Sequence, residues 1–211
     1  MNRGRFITLE GGEGAGKSTQ AQLLAQALRA RGHQVLLTRE PGGTPGAEAI
    51  RSLLLDPPGN GWGARAEALL FAAARADHVA QAILPALDRG DWVVCDRFLD
   101  SSRAYQGGGG GISDADLLDL HRIGSGGLLP DLTVLIEVPA STAAARLATR
   151  DGGASDAIGG RDAGYHASVA AAFARLAQAE PARFARIDGA GTPHDIHRAV
   201  LAALDRLGAE A

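Results

Sequence analysis

The chain has 211 residues, with 24 acidic against 21 basic side chains and a formal net charge of -3. That length buries one sizeable core, and the near balance of charge excludes the bulk positive field that holds nucleic acid nonspecifically. The single cysteine, Cys95, excludes an internal disulfide and a cysteine-based zinc cluster, and no stretch approaches the ~20 apolar residues that cross a bilayer, so one domain over residues 1–211 in the cytoplasm, with no nucleic-acid or membrane partner, is expected.

Short apolar runs rich in β-branched residues alternate with stretches of helical period, the pattern of a parallel sheet with helices on both faces. Residues 5–10 read as a first strand stopped by Gly11-Gly12, and 17–31 as a helix with Leu23, Leu24, Ala27 and Leu28 on one face. A strand at 34–38 leads through the turn-prone 41–46 to a helix at 47–55 and a longer one at 64–88, with Pro85 near its end. Residues 91–96 are a third strand. Gly107–Gly111 is expected to hold no regular structure, and Ser113 with Asp116 resembles the N-cap of a helix through Ile123. A strand at 132–138, a helix at 141–149, a glycine-rich charged segment at 150–162, a helix at 164–179, a strand at 184–188 and a helix at 193–207 complete the chain.

The chemistry is concentrated at Gly11-Gly12-Glu13-Gly14-Ala15-Gly16-Lys17-Ser18, followed by Thr19, which fits G-x-x-x-x-G-K-[ST] between a strand and a helix. Glycines let backbone N–H groups curl around a β-phosphate, the helix start adds its dipole, Lys17 reaches the β/γ-phosphates and Ser18 Oγ can ligate Mg²⁺. Lys17 is also the only lysine in the chain, against 20 arginines. The bland alternative is a glycine-rich turn with an exposed lysine. Asparagine occurs only at Asn2 and Asn60, so no Asn-Lys-x-Asp guanine-reading motif exists. The strand Val93-Val94-Cys95-Asp96 ends in a carboxylate suited to the magnesium shell. Buried Cys95 is expected to be inert, and the six histidines form no ligand cluster.

This P-loop, together with Thr38-Arg39-Glu40-Pro41-Gly42-Gly43-Thr44, Phe71-Ala72-Ala73-Ala74-Arg75-Ala76-Asp77-His78 and Asp96-Arg97-Phe98…Ser101…Ala104-Tyr105-Gln106-Gly107, resembles the thymidylate kinase family from about Phe6 to Asp188. The resemblance implies a P-loop kinase fold with a five-stranded parallel sheet in the order 2-3-1-4-5. It implies phosphorylation of dTMP to dTDP by Mg-ATP on the way to dTTP, and a homodimer, for which the helix at 64–88 is the candidate surface. It assigns the phosphate of dTMP to Arg97 and Arg39, with Ser101 among the substrate contacts, crowding of the 2′ position to Tyr105 and the sugar 3′-hydroxyl to Glu13. Phe71 offers a face for thymine, Arg75, four residues on, a donor to a base carbonyl, and Gln106 both donor and acceptor. Segment 150–162 would be a lid over the ATP phosphates. It looks shortened, and the acidic residue usual two places after Arg161 is missing. Gly14 brings no side chain, so an arginine arriving on closure is expected to supply charge, with Arg150 first, then Arg161, and Arg146 a third candidate; Gly152-Gly153 and Gly159-Gly160 would be hinges. The rival readings are another nucleoside monophosphate kinase and a DNA-associated P-loop ATPase.

Overall fold

In the computed structural model, which describes residues 3–151 and 157–208 apart from the side chains of Arg150 and Asp151, the five expected strands form one sheet. They are β1 (Phe6–Glu10), β2 (Val35–Arg39), β3 (Trp92–Asp96), β4 (Leu132–Glu137) and β5 (Phe184–Asp188), hydrogen-bonded in the order β2-β3-β1-β4-β5 with every pair parallel. This is the expected order. Parallel strands need crossover helices, and those helices cover both faces.

Helix α1 (Lys17–Ala30) and α9 (Pro193–Ala203) lie on one face, where Leu24, Leu28, Ile196 and Val200 pack on Ile7, Leu9, Val94, Val134 and Ile136. The other face alternates with it at period two: Phe6, Val93 and Cys95 point into a second cluster with Val79, Ile83, Leu87 and Phe98, and Leu135 into a third with Tyr105, Val169 and Phe173. Phe6, Leu9, Leu24, Leu28 and Phe98 are fully buried, each worth about 1.5–3 kcal/mol of transfer free energy. Between β2 and β3, α2 (Pro45–Leu55) leads into α3 (Ala64–His78), a π-helical turn over Val79–Ile83 and α4 (Leu84–Asp88). The expected single helix at 64–88 is thus interrupted, because Pro85 has no N–H for the hydrogen-bond ladder and its ring crowds the preceding turn.

After β3 come α5 (Leu99–Ser102), a π-helical stretch over Arg103–Gly109 and α6 (Asp114–Ser125), whose N-cap Ser113 accepts from Asp116 N–H at 3.1 Å. The expectation that all of Gly107–Gly111 would be irregular is corrected for its first three residues. They stay helical because this stretch runs hard against α8 (Ala163–Ala179): a Cβ on Gly108 would lie 2.4 Å from that of Ala172, and one on Gly109 2.4 Å from the Tyr165 ring. Helix α7 (Ala140–Asp151) follows β4.

Candidate active site

Because all strands run the same way, Glu10, Arg39 and Asp96 emerge along one edge of the sheet, Asp96 in register with both Leu9 and Arg39. There the chain encloses a cavity of about 450 Å³ lined at one end by Lys17, Ser18 and Arg146 and at the other by Phe71, Arg75 and Gln106, with Arg97 and Tyr105 between.

At the first end, Gly16 caps α1 in the left-handed region with no side-chain cap, and no acidic residue occupies the first turn, which leaves the positive helix end open to an anion. Lys17 is 6% exposed and donates to Gly12 C=O at 2.7 Å. Burial, then the neighbouring Arg97 charge, lowers its pKa to about 8. Ser18 Oγ donates to Asp96 Oδ2 at 2.5 Å, and Asp96 Oδ1 is buried with no hydrogen-bond partner among the described residues. A hydroxyl beside a carboxylate with an unsatisfied oxygen is a donor set of hard oxygens that suits Mg²⁺. The described residues hold no group of three or more His, Cys, Asp or Glu side chains to cage a metal, so phosphate and water would complete its shell.

Arg97 is the hub. It is the one described non-glycine residue with positive φ, 71°, a conformation that costs about 1 kcal/mol or more and persists only where surroundings enforce it. Its Nη2 donates to Glu13 Oε1 at 2.6 Å and to Tyr105 OH at 3.1 Å, and Nη1 to Gly11 C=O at 3.1 Å and Ser101 Oγ at 3.0 Å. Burial opposes its charge, but Tyr105, Glu13, Asp96 and Glu10 outweigh that and raise its pKa further. Behind it, Glu10 accepts from Phe98 N–H at 2.8 Å and Ser101 Oγ at 2.6 Å, so one carboxyl pins at two points the chain that follows the strained residue. Glu10 is fully buried, and burial followed by the Asp100 charge raises its pKa to about 8.

At the far end, α3 sets Glu67, Phe71 and Arg75 four residues apart on one face. Arg75 is 4% exposed; its Nε donates to Glu40 Oε2 at 2.7 Å and its Nη2 to Phe98 C=O and Ser102 Oγ at 3.1 and 2.9 Å. His78 bridges Glu40 and Thr38, and Thr44 Oγ1 donates to Asp77 Oδ2 at 2.5 Å, which ties the 38–44 loop to α3. Arg39 is at the mouth, more than half exposed and paired with Glu48 at 3.0 Å. Gln106 is 1% exposed and donates to Glu67.

The segment expected as a lid is divided. Arg146 lies against the P-loop, donating to Gly189 C=O at 2.9 Å with Ala15 C=O at 3.5 Å. Arg150 falls in the last turn of α7, but its side chain lies outside the description, as do Gly152-Gly153. Beyond the gap, Ile158 forms part of the cavity wall with Leu55 and Phe71, and Arg161 pairs with Glu67 and sits 4.5 Å over the Tyr165 ring. That end of the segment lies over Phe71 and Gln106 rather than the P-loop. Gly14 has its own constraint, since a Cβ there would meet Ala143 C=O of α7 at 2.6 Å.

Sequence reading missed Glu10, Glu40, Glu67 and Ser102. Glu67 carried a signal, one turn before Phe71 on the same face; Ser102 carried none, because its hydroxyl matters only through Arg75.

Residues 9–200 match the family model described as thymidylate kinase. The chain is 58% identical over 201 residues to the thymidylate kinase of Rhizorhabdus wittichii, covering 95% of this chain and 97% of that one. It is 53% identical to that of Gluconobacter oxydans, covering 96% and 94%. The crystal structure of thymidylate kinase from Ehrlichia chaffeensis superposes with a TM-score of 0.77 at 31% identity, covering 96% of this chain and 99% of that one.

Proposed function

The chain belongs to the thymidylate kinase family, and from that premise we propose how its residues divide the reaction. It is a nucleoside monophosphate kinase that phosphorylates dTMP to dTDP with ATP as donor. The observation that carries the division of roles is that one cavity holds the P-loop at one end and an aromatic face with a buried arginine at the other, with Arg97 between them.

ATP phosphates take the loop Gly11–Ser18 and the start of α1 at Thr19, where Lys17 faces the transferring phosphoryl group. Magnesium is the metal we assign to Ser18 and Asp96, where it would spread the phosphate charge. The acceptor phosphate has a second pKa near 6, so its oxygen is ionised at neutral pH and no strong base is needed. Positioning and charge neutralisation therefore make up the catalysis. Arg97 and Arg39 bind the dTMP phosphate with planar forks, and Ser101 orients Arg97. Glu13 faces the sugar 3′-hydroxyl, Tyr105 crowds the 2′ position, Phe71 stacks on thymine, and Arg75 and Gln106 read its edge. The arginines of 146–161 supply the remaining charge: Arg146 by its place against Ala15, Arg150 four residues on along α7, and Arg161 from the acceptor end.

The chain works as one kinase domain over 1–211 with 150–162 as its cover, and as a homodimer. Leu69 and Leu84, 56% and 38% exposed on the 64–88 run, and Ile123, 74% exposed on α6, support that surface. No helix among the described residues is long and apolar enough to cross a membrane, and the buried free thiol of Cys95 suits the cytoplasm. ADP formation that requires dTMP and is unaffected by DNA is the expected behaviour; ATP turnover stimulated by DNA without dTMP would overturn this reading.

A further inference from the structure

Glu67 is 6% exposed, and both of its oxygens are used: Oε1 accepts from Gln106 Nε2 at 2.9 Å, Oε2 from Arg161 Nη2. A carboxylate offers acceptors only, so this contact settles by chemistry which end of the Gln106 amide faces it. Nε2 is turned to Glu67, and Oε1, to which no described residue donates, is the polar atom left for the cavity that Gln106 lines. The Arg75 guanidinium, a donor only, lines the same cavity from the helical turn that follows Phe71 on the same face.

We infer that Glu67 is a specificity-determining positioning residue: by holding Gln106 with its carbonyl toward the nucleobase, it makes the acceptor end select an imide base, thymine or uracil, over cytosine. The inference deepens the reading of that end as the dTMP site and rests on it. An imide offers an N3–H donor flanked by carbonyls, which complements one acceptor next to one donor. Cytosine offers a lone pair at N3 and an amino group at C4, so both contacts become like against like, and a buried polar pair left unmatched is what discriminates strongly. Arg161 ties the chain cover to the same carboxylate, and Tyr165 OH, beneath it, donates to Tyr105 C=O at 3.1 Å. The segment over the base and the amide that reads it therefore share one anchor.

The test compares kcat and KM for dTMP and dCMP in the wild type, Glu67→Gln and Glu67→Asp. The amide introduced by E67Q can present either a donor or an acceptor to Gln106, which frees the Gln106 amide to turn over. In E67Q the dTMP KM should rise about tenfold with kcat within about twofold, and the dTMP/dCMP ratio of kcat/KM should fall about tenfold. E67D, still an acceptor only, should keep that ratio within about threefold of the wild type. An unchanged ratio in E67Q, or an equal loss in E67D, would overturn the inference while leaving the dTMP site standing. A wild type with no preference for dTMP would remove that site and the inference together. Should E67Q fail to fold, the nucleotide-free wild type carries the test: one Gln106 side-chain amide proton should exchange with solvent at least about tenfold more slowly than its geminal mate, and equally fast exchange of both would contradict the proposal.

Discussion

Arg97 and Glu13 meet at 2.6 Å across the middle of the cavity, one from the end of β3 and the other from inside the P-loop, so an ion pair links the donor and acceptor ends of the site. Arg97 adopts φ 71° to make that contact.

Arg97 should tolerate no substitute. Lysine keeps the charge but loses the planar fork that reaches Gly11, Glu13, Ser101 and Tyr105. R97K is expected to lower kcat/KM for dTMP by about 10²-fold or more, with a smaller effect on the KM for ATP. Steady-state kinetics with each substrate varied in turn checks the split, and equal losses for both substrates would move Arg97 away from the acceptor.

Lys17→Met should reduce kcat by about 10²–10³-fold while the thermal melt stays within a few degrees of the wild type, because the lysine neutralises charge that develops at the transferring group. Near-normal turnover in that variant would take the P-loop out of the mechanism.

Glu10 gives the fold a pH dependence of known sign. Its pKa is raised to about 8 in the folded protein from 4.5, so the folded state binds the extra proton between those values. Its stabilising contribution is complete below about pH 4.5 and is lost as pH rises toward 8. Glu10→Gln, which cannot ionise, should lose less stability than the wild type between pH 5 and 8; parallel curves from urea unfolding at several pH values would contradict this.

Gly108→Ala sets two effects against each other. Alanine gains about 1 kcal/mol over glycine in a helix, but overpacking costs about 1–3 kcal/mol, and the new Cβ would lie 2.4 Å from that of Ala172. The clash should win. A melting temperature lowered by a few degrees is expected, and a raised one would show that α8 can yield.

The strands and the P-loop were legible because they rest on local signals, β-branched runs, glycine stops and a fixed spacing, whereas the strand order came from the family resemblance that the motifs carry. The 107–109 helix was hidden, since five glycines carry no helix preference and only the approach of Ala172 and Tyr165 gives them a reason to be there. Glu10 was hidden for another reason. It closes a strand as many surface carboxylates do, and its burial follows from Phe98 and Ser101 folding back from a segment nearly 90 residues away. Arg161 was read as a cover for ATP from its place in the segment, whereas its carboxylate partner, Glu67, sits on α3 and could be found only in space.

The central claim, that this cavity transfers a phosphoryl group from ATP to dTMP, is tested most directly by ADP formation against a panel of nucleoside monophosphates. The account predicts the highest kcat/KM for dTMP, a value for dUMP lower by the roughly 10–200-fold that a filled methyl pocket confers, and lower values still for dCMP and the purine nucleotides. A higher kcat/KM for AMP or CMP than for dTMP would contradict it.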